Sequence, residues 1–222
     1  MINMHTIAVI PEFNEERSIG KVVRETRKYV DRVIVSDDGS KDRSGEEAEK
    51  NGALVLRHII NMGKGFSMRT GCDKAFLMGA DFIVTLDGDG QHAPGDIPKL
   101  VGTLRKEKLD IVLGSRYLKT EMPVTKQLGN WLLSSASRIF FGVDVKDTQC
   151  GFKAFTRQAY GKIRWDSRNY SVESEIIMRT GKEKLKYKEI PIRTIYQDKF
   201  KGTTIIDGAR IFFRMLWWRM AK

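Results

Sequence analysis

Short apolar runs of four to six residues alternate, through the first half of the chain, with stretches whose apolar positions recur at helical spacing. Runs of that length bounded by polar turns fit buried strands, and the longer stretches fit the helices that join them. Strands are therefore predicted over Thr6 to Ile10, Arg32 to Ser36, Ala53 to His58, Phe82 to Asp87 and Asp110 to Gly114. Between them, Glu15 to Tyr29, Arg43 to Asn51, Gly65 to Met78 and Pro94 to Glu107 read as helices. Strand and helix in alternation mean crossover connections, so the expected class is α/β, a Rossmann-like, mainly parallel sheet flanked by helices.

The second half is less regular. Lys126 to Phe141 reads as a helix, DTQCGFKAF as a turn into a strand, Glu173 to Thr180 as a helix and Lys186 to Ile195 as a strand. Neither a repeat nor a linker interrupts the pattern, and 222 residues with 41% hydrophobic content suit one substantial core. One domain over 1–222 is expected, with 203–222 as a basic amphipathic C-terminal helix. From Ile205 to Met220 that helix is mostly apolar, with Asp207, Arg210 and Arg214 in a narrow polar stripe. It is short for spanning a bilayer, so it is expected either to lie along a membrane or to pack on the domain or a partner subunit.

Charge changes the picture mainly by its distribution. The formal excess is +11, and from Lys182 onward eleven Lys and Arg stand against four Asp and Glu. A basic end of this kind suits phosphate-bearing ligands, an anionic membrane surface or nucleic acid, and charge alone does not choose among them. The first residues, MINMHTIAVIPEF, carry no basic leader and no apolar stretch of signal length, so a cytoplasmic protein is expected, peripheral on the inner face of the cell membrane if the basic end meets lipid. Cys72 and Cys150 are then expected as free, buried thiols.

Each predicted strand of the first half ends in a polar or glycine-rich turn: PEFNEE, DDGSKD, NMGKG, DGDGQH and GSRY. In an open α/β sheet the ligand crevice lies beyond the carboxyl ends of the strands, so these five turns should converge on one site. Asp87 and Asp89, two residues apart after a hydrophobic strand with Gly88 between them, are hard oxygen donors of the kind Mg²⁺ or Mn²⁺ takes. An EF-hand counted from Asp87 would need a glutamate where Pro98 stands. The dinucleotide pattern formed by Gly88, Gly90 and Ala93 sets bare aspartates where a pyrophosphate would lie. Asp37 ends its strand and is expected to point into the crevice, where it can accept from the edge of a base, while Ser40 or Asp42 caps the next helix. Asn14 is expected to cap the first helix. Backbone amides and Lys64 in the NMGKG turn could meet an anion, although Gly65 after the lysine rules out a Walker loop.

Taken together, I-P-E-F-N-E-E, D-D-G-S-K-D, N-M-G-K-G-F-S-M-R-T-G, D-G-D-G-Q-H, G-S-R-Y, D-T-Q-C-G-F-K and I-P-I-R, in this order from about Ile7 to Arg210, resemble the family 2 glycosyltransferases. The likeness is to the branch of dolichol-phosphate mannose synthases and other polyprenyl-phosphate glycosyltransferases. It implies the GT-A fold, a Mg²⁺ or Mn²⁺ cofactor, a GDP- or UDP-linked sugar donor carrying a hexose such as mannose or glucose, and a polyprenyl (dolichyl) phosphate acceptor. By the same resemblance, Pro11 and Glu15 line the nucleotide pocket and Phe13 stacks near the base, where a tyrosine is usual. Glu12 stands where a small residue is usual. Asp37 corresponds to the base-binding aspartate, Asp87 and Asp89 to the metal and diphosphate motif, and Gln91 to a further metal ligand. Arg116 is implied beside the sugar phosphates, and Arg193, Lys199 and Lys201 in a basic end that reaches nucleotide or acceptor phosphate.

The expected reaction is one in-line displacement at the anomeric carbon, with inversion. A lipid phosphate acceptor is already anionic and needs no base, whereas a hydroxyl acceptor of a glycan or glycolipid would need a carboxylate, for which Asp147 and Glu175 are the candidates. Two other classes fit less well. A sugar nucleotidyltransferase would open with a glycine- and arginine-containing loop, which PEFNEE is not. A nucleic-acid-binding module has no use for acids at successive strand ends, where they would oppose a polyanion.

Overall fold

The computed structural model describes residues 4–116, 124–195 and 205–220. Chain order is β1 (Thr6–Glu12), α1 (Ile19–Thr26), β2 (Arg32–Asp37), α2 (Ser44–Lys50), β3 (Leu54–Arg57), α3 (Lys64–Leu77), β4 (Phe82–Thr85), a 3₁₀ turn (Pro94–Asp96) and α4 (Ile97–Lys106). Then come β5 (Ile111–Arg116), α5 (Val124–Phe141), β6 (Lys153–Thr156), α6 (Arg157–Ile163), α7 (Val172–Lys182), β7 (Tyr187–Ile192) and α8 (Ile205–Met220). The seven strands make one sheet in the order β3-β2-β1-β4-β6-β5-β7. β6 runs antiparallel to both neighbours, while every other pairing is parallel. The expected α/β sheet is thus present.

Side chains alternate across each strand, so each strand feeds two cores. Ile7 and Val9 join Ile83, Phe155 and Trp165 beneath α3, α6 and α7, while Ala8 and Ile10 join Val33, Val84 and Leu100 beneath α1, α2 and α4. Both faces being covered explains why these strands are apolar throughout. A third, smaller cluster fastens α8 to α5 through Ile211, Met215, Leu133 and Ala136.

The structure departs from the expected elements at three places. The first helix opens at Ile19, not Glu15, and Asn14 is no cap. It adopts a left-handed φ of 55°, and its side chain accepts from Lys41 N at 2.8 Å. The amides of Glu15 and Glu16 are taken by Ser44 Oγ at 2.7 Å and Asp42 Oδ2 at 3.2 Å, which ties the first turn to the second instead of starting a helix. The N-cap position of α2 is Arg43, not Ser40 or Asp42; Asp42 stands one residue earlier, and its carboxylate accepts from Ser44 N at 3.0 Å. Finally, α6 was not expected; Thr156 caps it, its Oγ1 accepting from Ala159 N at 3.0 Å.

Candidate active site

The order of the strands reverses its progress at β1, which has β2 on one side and β4 on the other. At such a switch point the loops beyond the carboxyl ends diverge and leave a crevice. Here it is a cleft of about 420 Å³ lined by Pro11, Glu12, Phe13, Glu15, Asp38, Asn61, Gly63, Lys64, Ser67, Asp87, Gly88, Asp89, Gln91, Arg116, Gln149, Asn169, Tyr170 and Glu173. Residues from all five strand-end turns meet in it. A wider hollow of about 740 Å³, near Met4, Leu104 and Asp110, lies at the opposite end of the strands and gathers no comparable set of acids.

The loop after β4 is held from several sides. Asp89 Oδ1 accepts from Gln91 N at 2.9 Å, and Ser18 Oγ donates to the Gly88 carbonyl at 2.9 Å. His92 is buried beneath it, with Nδ1 accepting from Asp87 N at 3.2 Å. Burial pushes that imidazole down to about 4, so it is a neutral support. Gly151 runs close behind Asp87: a Cβ there would stand 2.7 Å from Oδ2, so any other residue would push the Asp87 carboxylate aside. This places a glycine of the C-G-F-K segment against the aspartate loop although 64 residues separate them in sequence.

Asp87 Oδ1 meets Lys64 Nζ at 2.7 Å, and the same ammonium meets Glu173 Oε1 at 2.9 Å. Burial opposes the charge on Lys64, but Asp87 and Glu173 outweigh it and hold the ammonium well above the usual lysine range. Burial likewise opposes ionisation of Asp87, and Lys64 holds it well below the usual carboxylate range. Asp89 goes the other way, pushed up to about 6 by burial and by the neighbouring Asp87. The loop therefore carries more negative charge than its surroundings offset. Two carboxylates and the Gln91 amide are a hard-oxygen set, and although no group of three His, Cys, Asp or Glu among the described residues closes on one point, Mg²⁺ characteristically leaves its remaining positions to water and phosphate. These residues fit a divalent ion.

Arg116 borders the cleft and is gripped from behind. Its Nε and Nη2 donate to the two oxygens of Asp147 at 2.7 and 2.9 Å, and its backbone N donates to Oδ2 at 3.0 Å. Asp147 is fully buried; burial alone would raise it, and the guanidinium holds it below the usual range. Glu175 faces away from the cleft and accepts from Asp166 N at 3.0 Å, Ser167 N at 2.8 Å and Arg179 Nε at 2.8 Å. Neither Asp147 nor Glu175 lines the cleft, and each carboxylate already accepts several hydrogen bonds from the fold, which departs from the place expected of a base.

Asp37 is also not where it was expected. The side chain is fully buried, with Oδ1 accepting from Ser40 N at 2.7 Å and Oδ2 beside Arg57 Nε at 3.3 Å, so it shapes the turn and does not point into the crevice. Asp38 lines the cleft instead, its oxygens accepting from Met62 N at 2.9 Å and Gly63 N at 2.8 Å. Arg193 is not among the residues lining the cleft; it pairs with Asp96 at 3.2 Å, and the backbone beside it is tied to the loop after β4 by Ile195 N donating to Gln91 O at 2.8 Å. Lys199 and Lys201 lie outside the described residues.

Sequence reasoning missed Glu173, Lys153, Asn169 and Tyr170. Lys153 is buried on β6, donating to the Cys150 carbonyl, and burial pushes it below the usual lysine range. Gly63, at φ 94°, lets the NMGKG turn press against Asn169, whose Oδ1 would lie 2.3 Å from any Cβ. A signal for Glu175 was available: Arg179 follows at i+4, the spacing of a helical ion pair.

Comparison with known proteins bears on this cleft. Residues 7–164 match the profile of Glycosyl transferase family 2. A UDP-N-acetylglucosamine–dolichyl-phosphate N-acetylglucosaminyltransferase of Methanococcus voltae is 35% identical, over 96% of this chain and 96% of its own. An undecaprenyl-phosphate mannosyltransferase of Micrococcus luteus is 27% identical over 90% of this chain and 88% of its own. Among solved structures, glucosyl-3-phosphoglycerate synthase from Mycobacterium tuberculosis, in complex with Mn²⁺, UDP and glucosyl-3-phosphoglycerate, superposes with a TM-score of 0.75 at 21% identity, over 99% of this chain and 80% of that one.

Proposed function

We propose, since the chain belongs to glycosyl transferase family 2, that it transfers a sugar from a nucleoside diphosphate donor to a polyprenyl phosphate at a membrane surface, in one inverting displacement. The chain has the GT-A fold and is a glycosyltransferase of the polyprenyl-phosphate branch. The observation that carries the reading is the meeting of five strand-end turns in one cleft, where Asp87, Asp89, Lys64 and Arg116 all line the wall and Lys64 pairs with Asp87. Acids and bases so arranged suit a pyrophosphate bound through a cation.

A Mg²⁺ or Mn²⁺ ion held by Asp87, Asp89 and Gln91 would supply Lewis-acid stabilisation of the departing diphosphate. The chain's own residues do the rest. Phe13, 42% exposed at the lip, offers a ring face to a base, with Pro11 and Asp38 beside it. Lys64 and Arg116 bring positive charge to the developing negative charge in a partly dry site, where it counts for more than in water. Asp147 fixes Arg116 in place and does not act on the substrate. With Asp147 and Glu175 both engaged, a hydroxyl acceptor loses the bases expected for it, which favours an acceptor that is already anionic.

The sheet and its helices are read as one catalytic unit, with α8 as its membrane-facing element. Among the described residues no helix is long and apolar enough to cross a membrane. α8 packs on α5, yet Phe213, Trp217 and Met220 on α8, and Trp131, Leu132 and Ile139 on α5, remain exposed beside Arg210 and Arg219. Aromatic and basic side chains together suit an anionic lipid surface. Sedimentation with anionic vesicles should fall about tenfold in Phe213→Ala/Trp217→Ala and fall with salt; equal binding to neutral vesicles would count against the docking role.

The direct test of function is transfer to a polyprenyl phosphate from UDP-N-acetylglucosamine, UDP-glucose and GDP-mannose, with and without Mn²⁺. The first donor is included because of the Methanococcus voltae relative's name, and the others because the sequence resemblance implies mannose or glucose. Cation-dependent transfer from one donor supports the reading. Transfer only to neutral glycan hydroxyls would overturn it.

A further inference from the structure

Glu173 poses a physical question. It is 2% exposed, its Oε2 has no hydrogen-bond partner among the described residues, it pairs with Lys64 at 2.9 Å, and the buried Lys153 is near enough to feel its charge. A buried carboxylate is costly unless it holds a charge in place. Lys64 in turn reaches from the start of α3 to Asp87, so one ammonium is shared between a residue of the metal loop and a residue outside it. Any divalent ion that takes Asp87 competes with that ammonium for the same oxygen.

From this geometry we infer that Lys64 is the counter-ion of Asp87 until a divalent ion binds, when it is displaced from that carboxylate, and that Glu173 retains it within the site. The inference rests on the proposed reading of Asp87 and Asp89 as metal ligands. Lys64 thereby has two successive uses. It offsets the crowded carboxylates before the ion arrives, and it supplies a positive charge for the donor's diphosphate afterwards. Glu173 is a positioning residue, holding Lys64 close when its first partner is taken.

The test is the affinity of MnCl2 alone, measured by calorimetry or by the electron paramagnetic resonance of free Mn²⁺, without donor or acceptor. Lys64→Met removes the competitor and should bind Mn²⁺ about tenfold tighter than the wild type. Because that variant strands Glu173 and also makes the site more negative, Lys64→Met/Glu173→Gln is the decisive partner. It restores the wild-type net charge and removes the stranded acid, so tighter Mn²⁺ binding there comes from vacating Asp87. Lys64→Arg keeps a competing cation and should stay near wild-type affinity. Unchanged or weaker binding in the double variant would overturn the inference and leave the metal reading standing. Absence of Mn²⁺ binding in the wild type and all variants would overturn both.

Discussion

The loop after β4 and the segments around Asp147 and Glu175 both hold buried acids close to cations, yet of these acids only Asp87 and Asp89 line the cleft. Asp147 and Glu175 accept from backbone amides and are each clasped by an arginine, so their charge is spent inside the protein. Asp87 meets the single ammonium of Lys64, and Asp89 is pushed up to about 6 by burial and by the charge of Asp87, which outweigh the pull of Lys64. The difference teaches that burial and sequence neighbourhood do not make a carboxylate reactive. What matters is whether its oxygens have already been satisfied by the fold.

The largest expected effect follows directly. Asp87→Ala or Asp89→Ala should reduce transfer by about a thousandfold or more, measured as initial rate at saturating Mn²⁺ and donor. Next comes Asp147→Asn, which keeps the shape but loosens Arg116; a fall of about a hundredfold in kcat/KM is expected, with Mn²⁺ affinity little changed. Loss of Mn²⁺ binding in that variant would erase the distinction between the two regions. Glu175→Gln should cost stability, about 1–3 kcal/mol in denaturant titration, while kcat stays within about threefold of wild type. A collapse of kcat in a folded Glu175→Gln protein would restore Glu175 as a catalytic residue.

Glu12 gives a subtler contrast. Burial, with Asp37 adding to it, pushes its carboxyl from 4.5 up to about 8. The folded chain then holds a proton that the unfolded chain has released across that window, so this group makes stability fall as pH rises from about 4.5 to about 8. The melting temperature of the ion-free protein should show that decline, and Glu12→Gln should flatten it. An equal slope in the two proteins would mean that Glu12 ionises normally.

Much of this was legible in the residues. The apolar runs located β1 to β5, and the polar turns after them pointed to one crevice because parallel strands present their carboxyl ends on one side. Side-chain phase was harder to read. Asp37 and Asp38 are adjacent, and only the folded turn shows that the first faces inward, toward Gly45, while the second borders the cleft. Glu173 and Glu175 are two positions apart on a helix and so face different ways, a choice that needs the helix phase against the sheet. Asn14 had the chemistry of a cap but was drawn into the neighbouring turn by Lys41 and Ser40. α6 is only seven residues long, with Gly161 inside it, too brief for periodicity to stand out.

Asp87 and Asp89 are proposed to bind a nucleoside diphosphate through a divalent ion. Titration of UDP and GDP by calorimetry, with and without Mn²⁺, on wild type and Asp87→Ala/Asp89→Ala tests it most directly. Binding of at least one nucleotide should strengthen at least about tenfold with Mn²⁺ in the wild type and should not respond to Mn²⁺ in the double variant. Equally strong, Mn²⁺-independent binding in both proteins would contradict it.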